Sequence, residues 1–178
     1  MRIFSIRTFC LISCRRWRCR VWGGRKTLAP HVIPHTVGRM RIVIDTNVIV
    51  SGLRSTKGAS FRVLRGVQTG VVKPVVSVAL FLEYQDVLPR PGLLPAQMPP
   101  HAILAFLDAF LLKSELQDIF FKWRPWLPDP KDECVLDTAV AAGCIPIVTS
   151  NLKDFRPAPR LGVRVMTPWE VVTELNLP

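Results

Sequence analysis

Short apolar runs rich in β-branched residues alternate with longer segments of helical periodicity from Met40 to the end of the chain. The continuous run at residues 42–44 is typical of a strand that is buried on both faces. Further short runs of this kind predict strands at residues 75–76, 119–121, 145–148 and 163–166.

Helices are predicted between these strands from the helical spacing of apolar positions and from capping signals. Ser77 can cap a helix that ends before Pro89. Thr167 and Glu170 can form a capping box, with Pro168 at the first helical position. The predicted helices span residues 59–68, 78–88, 101–113, 129–143 and 167–175. Residues 45–47 are expected to form a turn and residues 89–100 a loop.

Strands that alternate with helices imply right-handed βαβ units and a mainly parallel sheet covered by helices on both faces. The fold class is therefore α/β, with three layers. In such sheets ligands collect beyond the carboxyl ends of the strands. The segment after Ile44, the helix start at Ser77 and the segment after Val148 are thus expected to share one crevice.

The charge of the chain is concentrated in residues 1–39, a segment called the leader below. The chain has 178 residues and a net charge of +11. The leader holds nine Lys or Arg and no acid, so subtracting these from 24 leaves 15 basic against 13 acidic residues, a net of +2 for residues 40–178. The domain therefore gives no electrostatic argument for nucleic-acid binding.

Three interpretations of the leader are open. It can be a disordered basic arm that touches RNA, an Arg-rich targeting segment, or a stretch upstream of a translation start at Met40. We favour the third, because the strand and helix pattern is complete from Met40. A single domain over residues 40–178 is expected.

The cysteines argue against a disulfide scaffold. Their number is five, without regular spacing, and three of them lie in the leader. Cys134 and Cys144 fall on a predicted helix and its exit, where small buried thiols are common. This usage fits a reducing, cytoplasmic location, and no apolar run approaches the roughly 18 residues of a membrane-spanning helix.

Acidic residues lie in three of the segments that are expected to share the crevice. Asp45 directly follows the first strand, where a carboxylate is costly unless it is paired, hydrogen-bonded or bound to a metal. Asn47 can fix its orientation. Glu83 lies in apolar company on the second helix, and Asp132 lies at the start of a later helix. Taken singly, each acid is better explained as a cap or a surface ion-pair partner than as a functional residue.

The convergence of these acids changes their interpretation. Carboxylates brought within a few ångströms of each other repel and destabilise the fold unless a cation neutralises them. All-oxygen ligands favour Mg²⁺ or Mn²⁺ over Zn²⁺. Such an ion can activate water for attack on phosphorus. No Ser-His-Asp or Cys-His arrangement competes in this sequence.

At these residues the chain resembles the PIN domain family. Residues 40–48, with Asp45-Thr46-Asn47, look like its opening strand, and residues 77–91 look like its second acidic helix. Residues 129–155 look like its C-terminal block. The likeness covers about residues 40–172 and is greatest to toxin components of toxin–antitoxin pairs.

The resemblance implies a Rossmann-like α/β/α sandwich and Mg²⁺- or Mn²⁺-dependent cleavage of single-stranded RNA. It carries Asp45, Glu83 and Asp132 over as catalytic and metal-binding acids, although a one-residue slip would exchange Asp132 for Glu133. The positions with supporting roles are Asn47, Glu133, Thr149 and Asn151, where Asn151 replaces an acid common in the family. By family analogy, the partners would be a cognate antitoxin protein and a second copy of the chain.

Two alternatives are kept. Asn151 motivates the first, a catalytically inactive PIN-like module that binds RNA or another protein. The second is a phosphatase that uses Asp45 as its nucleophile. Enzymes of that type normally need another Asp two residues further on, where this chain has Asn47.

Overall fold

Five parallel strands form the central sheet in the order β3-β2-β1-β4-β5. The computed structural model describes residues 39–95, 98–122 and 125–178. The expectations for the leader, apart from Arg39, therefore lie outside the described residues. The strands are β1 (Met40–Ile44), β2 (Val72–Val76), β3 (Glu115–Leu116), β4 (Ile147–Val148) and β5 (Val165–Met166).

Helices connect the strands and cover both faces of the sheet, as an α/β fold requires. They are α1 (Thr46–Arg54), α2 (Ala59–Thr69), α3 (Val78–Val87), α4 (Pro100–Lys113), α5 (Glu133–Ala141) and α6 (Pro168–Glu174), with a 3₁₀ turn at Ala158–Leu161. Helix α2 packs against α1 and α6, whereas α5 packs against α3 and the central strands. The expected three-layer architecture is confirmed.

The register of the sheet aligns the carboxyl ends of neighbouring strands. Ile44 at the end of β1 pairs with Val148 at the end of β4, and Val148 pairs with Met166 at the end of β5. The side chains of β1 and β4 next to these ends are fully buried. Residues that follow these strands therefore emerge together at one edge, called the carboxyl edge below. In the described residues, no helix is long and apolar enough to cross a membrane.

Several helix boundaries match the capping signals in the sequence. Ser77 caps α3 by accepting a hydrogen bond from Leu80 N at 3.2 Å. Gly70 ends α2 with a φ of 81°, a left-handed conformation that glycine adopts at little cost. Thr167 and Glu170 form the expected capping box at the start of α6.

The predicted strand at residues 119–121 was wrong. The last strand-like contact is the hydrogen bond from Gln117 N to Val76 O at 2.9 Å. Strand β2 ends at Val76 and the chain turns into α3, so no backbone remains for a longer partner. Phe120 and Phe121 are instead 83% and 69% exposed.

Other boundaries moved for local reasons. Residues 46–54 form α1 rather than only a turn, because Asp45 caps the helix and Val48 and Ile49 become fully buried. Helix α5 begins at Glu133, since Asp129 Oδ1 accepts a hydrogen bond from Lys131 N and holds that stretch as a turn. Strands β4 and β5 are each two residues long, shorter than the apolar runs that predicted them.

Candidate functional site

The carboxylate of Asp45 lies at the centre of the carboxyl edge and is 4% exposed. Its Oδ2 accepts hydrogen bonds from Thr149 Oγ1 and from Asn47 Nδ2, each at 2.6 Å. Burial raises the pKa of Asp45 and the charge of Glu83 adds to this, although hydrogen bonds from the Thr149 hydroxyl and from the backbone N–H of Asn47 oppose the shift. Asp45 is therefore a buried carboxylate held in one orientation by two side-chain donors.

Asn47 and Thr149 join the ends of β1 and β4. Asn47 Nδ2 lies 3.1 Å from Thr149 Oγ1, and Asn47 Oδ1 accepts a hydrogen bond from Ser150 N at 3.1 Å. The two strands are neighbours in the sheet, so this polar network closes directly above their last paired residues. The structure thus brings Asn47 and Thr149 to Asp45.

Glu83 reaches the same region from α3. Its Oε1 accepts a hydrogen bond from Thr46 Oγ1 at 2.8 Å, so the carboxylate lies beside the first residue of α1. Its Oε2 lies 2.7 Å from Cys134 Sγ near the start of α5. Glu83 therefore contacts two helices that begin at the carboxyl edge.

Asp132 occupies the N-cap of α5, but its side chain accepts no capping hydrogen bond. Its pKa is raised to about 7 by burial first and then by the negative charges of Asp45, Asp129, Asp154 and Glu83. A capping role for its side chain therefore does not explain why an acid stands at this position. The negative charges at these four positions act on the pKa of Asp132 in the same direction as burial.

Asp154 is one of the acids that raise the pKa of Asp132, although the sequence did not single it out as a site residue. Asn151 Nδ2 donates a hydrogen bond to Asp154 Oδ2, and Asn151 N donates to Thr149 Oγ1 at 3.0 Å. The family commonly has an acid at the position of Asn151. In this chain the amide of Asn151 instead donates a hydrogen bond to a nearby acid, Asp154. The sequence did contain a signal for Asp154, because it lies three residues after Asn151 in the segment that follows β4.

Glu133 is separated from the cluster, even though it adjoins Asp132. Its side chain is 1% exposed, and its Oε1 accepts hydrogen bonds from Trp126 N at 2.6 Å and Leu127 N at 2.8 Å. The carboxylate therefore anchors the segment before α5. Of the two adjacent acids, Asp132 is the one coupled to Asp45 and Glu83.

Tyr84 supports the site from beneath. Its fully buried hydroxyl donates a hydrogen bond to Ile44 O, the carbonyl just before Asp45. Burial raises the pKa of Tyr84 well above its usual value, and the nearby Asp45, Cys134 and Glu83 act in the same direction. The bond ties α3 to the end of β1 and so relates Glu83 to Asp45.

The acidic cluster, defined as Asp45, Glu83, Asp129, Asp132 and Asp154, lacks a basic partner in the described part of the chain. The ion pairs there join Arg41 to Glu115, Arg90 to Asp86 and Arg164 to Glu174. Over the same residues, no three His, Cys, Asp or Glu side chains are arranged to hold a metal ion among them. The cluster thus supplies many carboxylate oxygens, which are hard donors, but in this structure no three of its side chains converge on a common point.

The comparisons with known proteins address the family directly. A family model described as PIN domain matches residues 41–153, a range that contains Asp45, Glu83 and Asp132. No curated protein matches the chain. Among solved structures, the chain is similar to a crystal structure of VapBC2 from Rickettsia felis bound to a DNA fragment from their promoter. The TM-score is 0.51 and the identity 17%, over 72% of this chain and 98% of that one.

At this identity the structural match shows a shared fold, whereas the family model covers more than half of the chain. The resemblance seen in the sequence motifs is confirmed. The protein belongs to the PIN domain family.

Proposed function

We propose that this protein is a metal-dependent endoribonuclease that cleaves single-stranded RNA, with Asp45, Glu83 and Asp132 as its catalytic, metal-binding acids. One observation carries the proposal. The pKa of Asp132 is raised to about 7, first by burial and then by the negative charges of acids that come from separate segments, Asp45 and Glu83 among them. A cluster of this kind is destabilising unless it serves to bind a cation.

The chemistry of the donors fits Mg²⁺ or Mn²⁺. Carboxylate oxygens are hard ligands, and both ions bind through a few carboxylates and water molecules. Asp45 and Glu83 each retain oxygen lone pairs beyond those used by their present donors. We therefore assign Asp45, Glu83 and Asp132 as the residues that would hold the ion. When bound, a divalent ion would make water more acidic and neutralise charge on a phosphodiester.

The other residues of the site orient these acids. Asn47 and Thr149 fix Asp45 through hydrogen bonds to Oδ2. Asn151 holds Asp154, which adds negative charge beside Asp132. Because the donors that hold Asp45 are themselves part of α1 and the β4 exit, its orientation is set before any ligand arrives.

We further propose that the chain is the toxin of a toxin–antitoxin pair. The motif resemblance to such toxins and the shared fold with VapBC2 support this. The proposed partners are a cognate antitoxin protein and a second copy of the chain.

Cleavage by the purified chain tests the enzyme proposal. Single-stranded RNA is incubated with the protein and Mn²⁺, with or without a chelator. We expect cleavage that the chelator abolishes. Loss of a residue that only orients a metal ligand typically lowers activity by roughly 10–100-fold. Asp45→Asn, which changes a proposed ligand itself, should lower the cleavage rate by more than this. Asp86→Asn is the matched control, because Asp86 lies on α3 outside the cluster and pairs with Arg90.

A catalytically inactive PIN-like module is the alternative. It is favoured by Asn151 and by the lack, among the described residues, of three side chains already arranged for a metal. Equal cleavage by the wild type and Asp45→Asn would assign the activity to a contaminant. Binding of the RNA without cleavage would favour the module.

A further inference from the structure

Both carboxylate oxygens of Glu83 are held by uncharged side chains. Thr46 Oγ1 donates to Oε1 at 2.8 Å, and Cys134 Sγ lies 2.7 Å from Oε2. The threonine belongs to the family's Asp-Thr-Asn motif, whereas the proposed function assigns no role to the thiol. Cys134 is therefore the residue whose contact with the site remains to be explained.

The surroundings of Cys134 favour its thiol as a donor to Glu83. Cys134 is the second residue of α5 and is 7% exposed. Its Sγ lies 2.7 Å from Glu83 Oε2 and 3.2 Å from Lys131 O, both of which are acceptors. A thiol carries one hydrogen, and a carboxylate is a stronger acceptor than a neutral carbonyl. The S–H hydrogen therefore belongs on the shorter contact.

We propose that Cys134 is a positioning residue, whose S–H group holds the Glu83 carboxylate in the orientation used for metal binding. The inference rests on the proposed function. It assigns Cys134 no contact with substrate and no direct bond to the ion. Its effect is exerted through Glu83.

Glu83 needs such support because it is a long side chain among like charges. It lies mid-helix on α3, partly exposed, and its charge contributes to the raised pKa values of Asp45 and Asp132. Repulsion favours conformers that turn it away from those acids. Two uncharged donors, one from α1 and one from α5, oppose this without neutralising the carboxylate, which stays available to a cation.

A separate hydrogen bond between the same two helix regions provides a matched control. Ser77 Oγ and Thr138 Oγ1 are 2.8 Å apart, and Thr138 is fully buried. This bridge links the start of α3 to α5, as the Cys134 contact does. Thr138 Oγ1 also donates a hydrogen bond to the backbone O of Cys134 at 2.6 Å, but neither bond involves the thiol or Glu83. Thr138→Val should therefore weaken helix packing and leave the orientation of Glu83 unchanged.

The first test observes the hydrogen bond without any metal. Infrared spectra of the full chain contain S–H stretching bands, and the difference from Cys134→Ala identifies the band of Cys134. We expect this band at the low frequency of a strong S–H donor, and a shift to higher frequency in Glu83→Gln. A Cys134 band that does not respond to Glu83→Gln overturns the proposal.

The second test measures Mn²⁺ affinity by titration calorimetry, with thermal unfolding of the same metal-free variants. Loss of a group that orients a metal ligand typically weakens binding about 10–100-fold, so Cys134→Ala should raise the Kd by at least about tenfold. Cys134→Ser keeps a donor and should restore the affinity to near the wild-type value. Thr138→Val should lower Tm and leave the Kd unchanged.

The outcomes separate this inference from the function on which it rests. A Kd of Cys134→Ala equal to that of the wild type, or no rescue by Cys134→Ser, overturns the positioning role while the metal site stands. A wild type that binds no Mn²⁺ but shows the Glu83-dependent S–H band overturns the metal-dependent function and supports the contact. If the Kd rose equally in Thr138→Val and Cys134→Ala, weaker helix packing would explain the loss of Mn²⁺ affinity, and the proposal would be overturned.

Discussion

Thr149 donates a 2.6 Å hydrogen bond to Asp45 Oδ2, joining the exit of β4 to the exit of β1. This bond opposes the effect of burial on the pKa of Asp45. Thr149→Val, which is close in shape, should therefore raise the pKa of Asp45 further and weaken Mn²⁺ binding by about 10–100-fold. Calorimetric titration would measure this. Thr149→Ser retains the hydroxyl and should bind like the wild type, and equal affinities of all three proteins would contradict the prediction.

The raised pKa of Asp132 predicts how stability depends on pH without divalent ions. A carboxyl whose folded pKa is about 7, against an ordinary value of 3.8, binds its proton more tightly in the folded state. Its favourable contribution is present below about pH 4 and is lost as the pH rises through about 7. The free energy of unfolding from urea titrations should therefore fall over this range.

Asp132→Asn should make that pH dependence weaker and should be more stable than the wild type at about pH 8. Asp86→Asn, which removes an acid outside the cluster, should leave the slope unchanged. Parallel curves for the wild type and Asp132→Asn would refute the prediction.

A divalent ion should reverse this instability. A ligand that binds only the folded state stabilises it by about 2.7 kcal/mol at a concentration one hundred times its Kd. We expect Mn²⁺ to raise the Tm of the wild type near pH 8 and to raise that of Asp45→Asn much less. Differential scanning calorimetry with matched ionic strength provides the measurement. The same increase in both proteins would show that Mn²⁺ binds elsewhere.

Asp154 is predicted to act on Asp132 through its charge. Asp154 is one of the acids whose repulsion raises the pKa of Asp132. Asp154→Asn should therefore lower the pKa of Asp132, as followed by NMR titration of the side-chain carboxyl in metal-free protein. Asp86→Asn is again the control. A pKa of Asp132 that does not change would remove Asp154 from the cluster.

Glu133 should matter for stability because it holds two backbone donors. Glu133→Ala leaves Trp126 N and Leu127 N without their present acceptor. The Leu127 bond is buried, and a buried donor that loses its partner costs about 1–3 kcal/mol, whereas the Trp126 bond is part-buried. Guanidinium unfolding should show a loss in this range or above it.

Glu133→Gln should cost less, because it keeps an oxygen acceptor and removes a charge whose Oε2 has no hydrogen-bond partner among the described residues. Equal stability of Glu133→Ala and the wild type would show that the anchor contributes nothing.

Local sequence patterns predicted much of the fold. The buried strand before Asp45 and the capping signals at Ser77 and Thr167 act through neighbouring residues, so their signals survive in the linear sequence. The strand predicted at Phe120 and Phe121 failed because a strand needs a partner, and β2 had already ended. Helix α1 was missed because burial of its β-branched residues, rather than helix propensity, stabilises it.

For the candidate site, order and spacing along the chain predicted Asp45 and Asp132 at the ends of elements and Glu83 within the helix that starts at Ser77, in segments that a parallel sheet gathers at one edge. Only the packed structure showed the different surroundings of Asp132 and Glu133, brought Cys134 to Glu83, and placed Asp154 among the acids that act on Asp132. The reason is physical. A capping signal acts over three or four residues, whereas the pKa and partners of a carboxylate depend on charges and donors that come from distant parts of the chain.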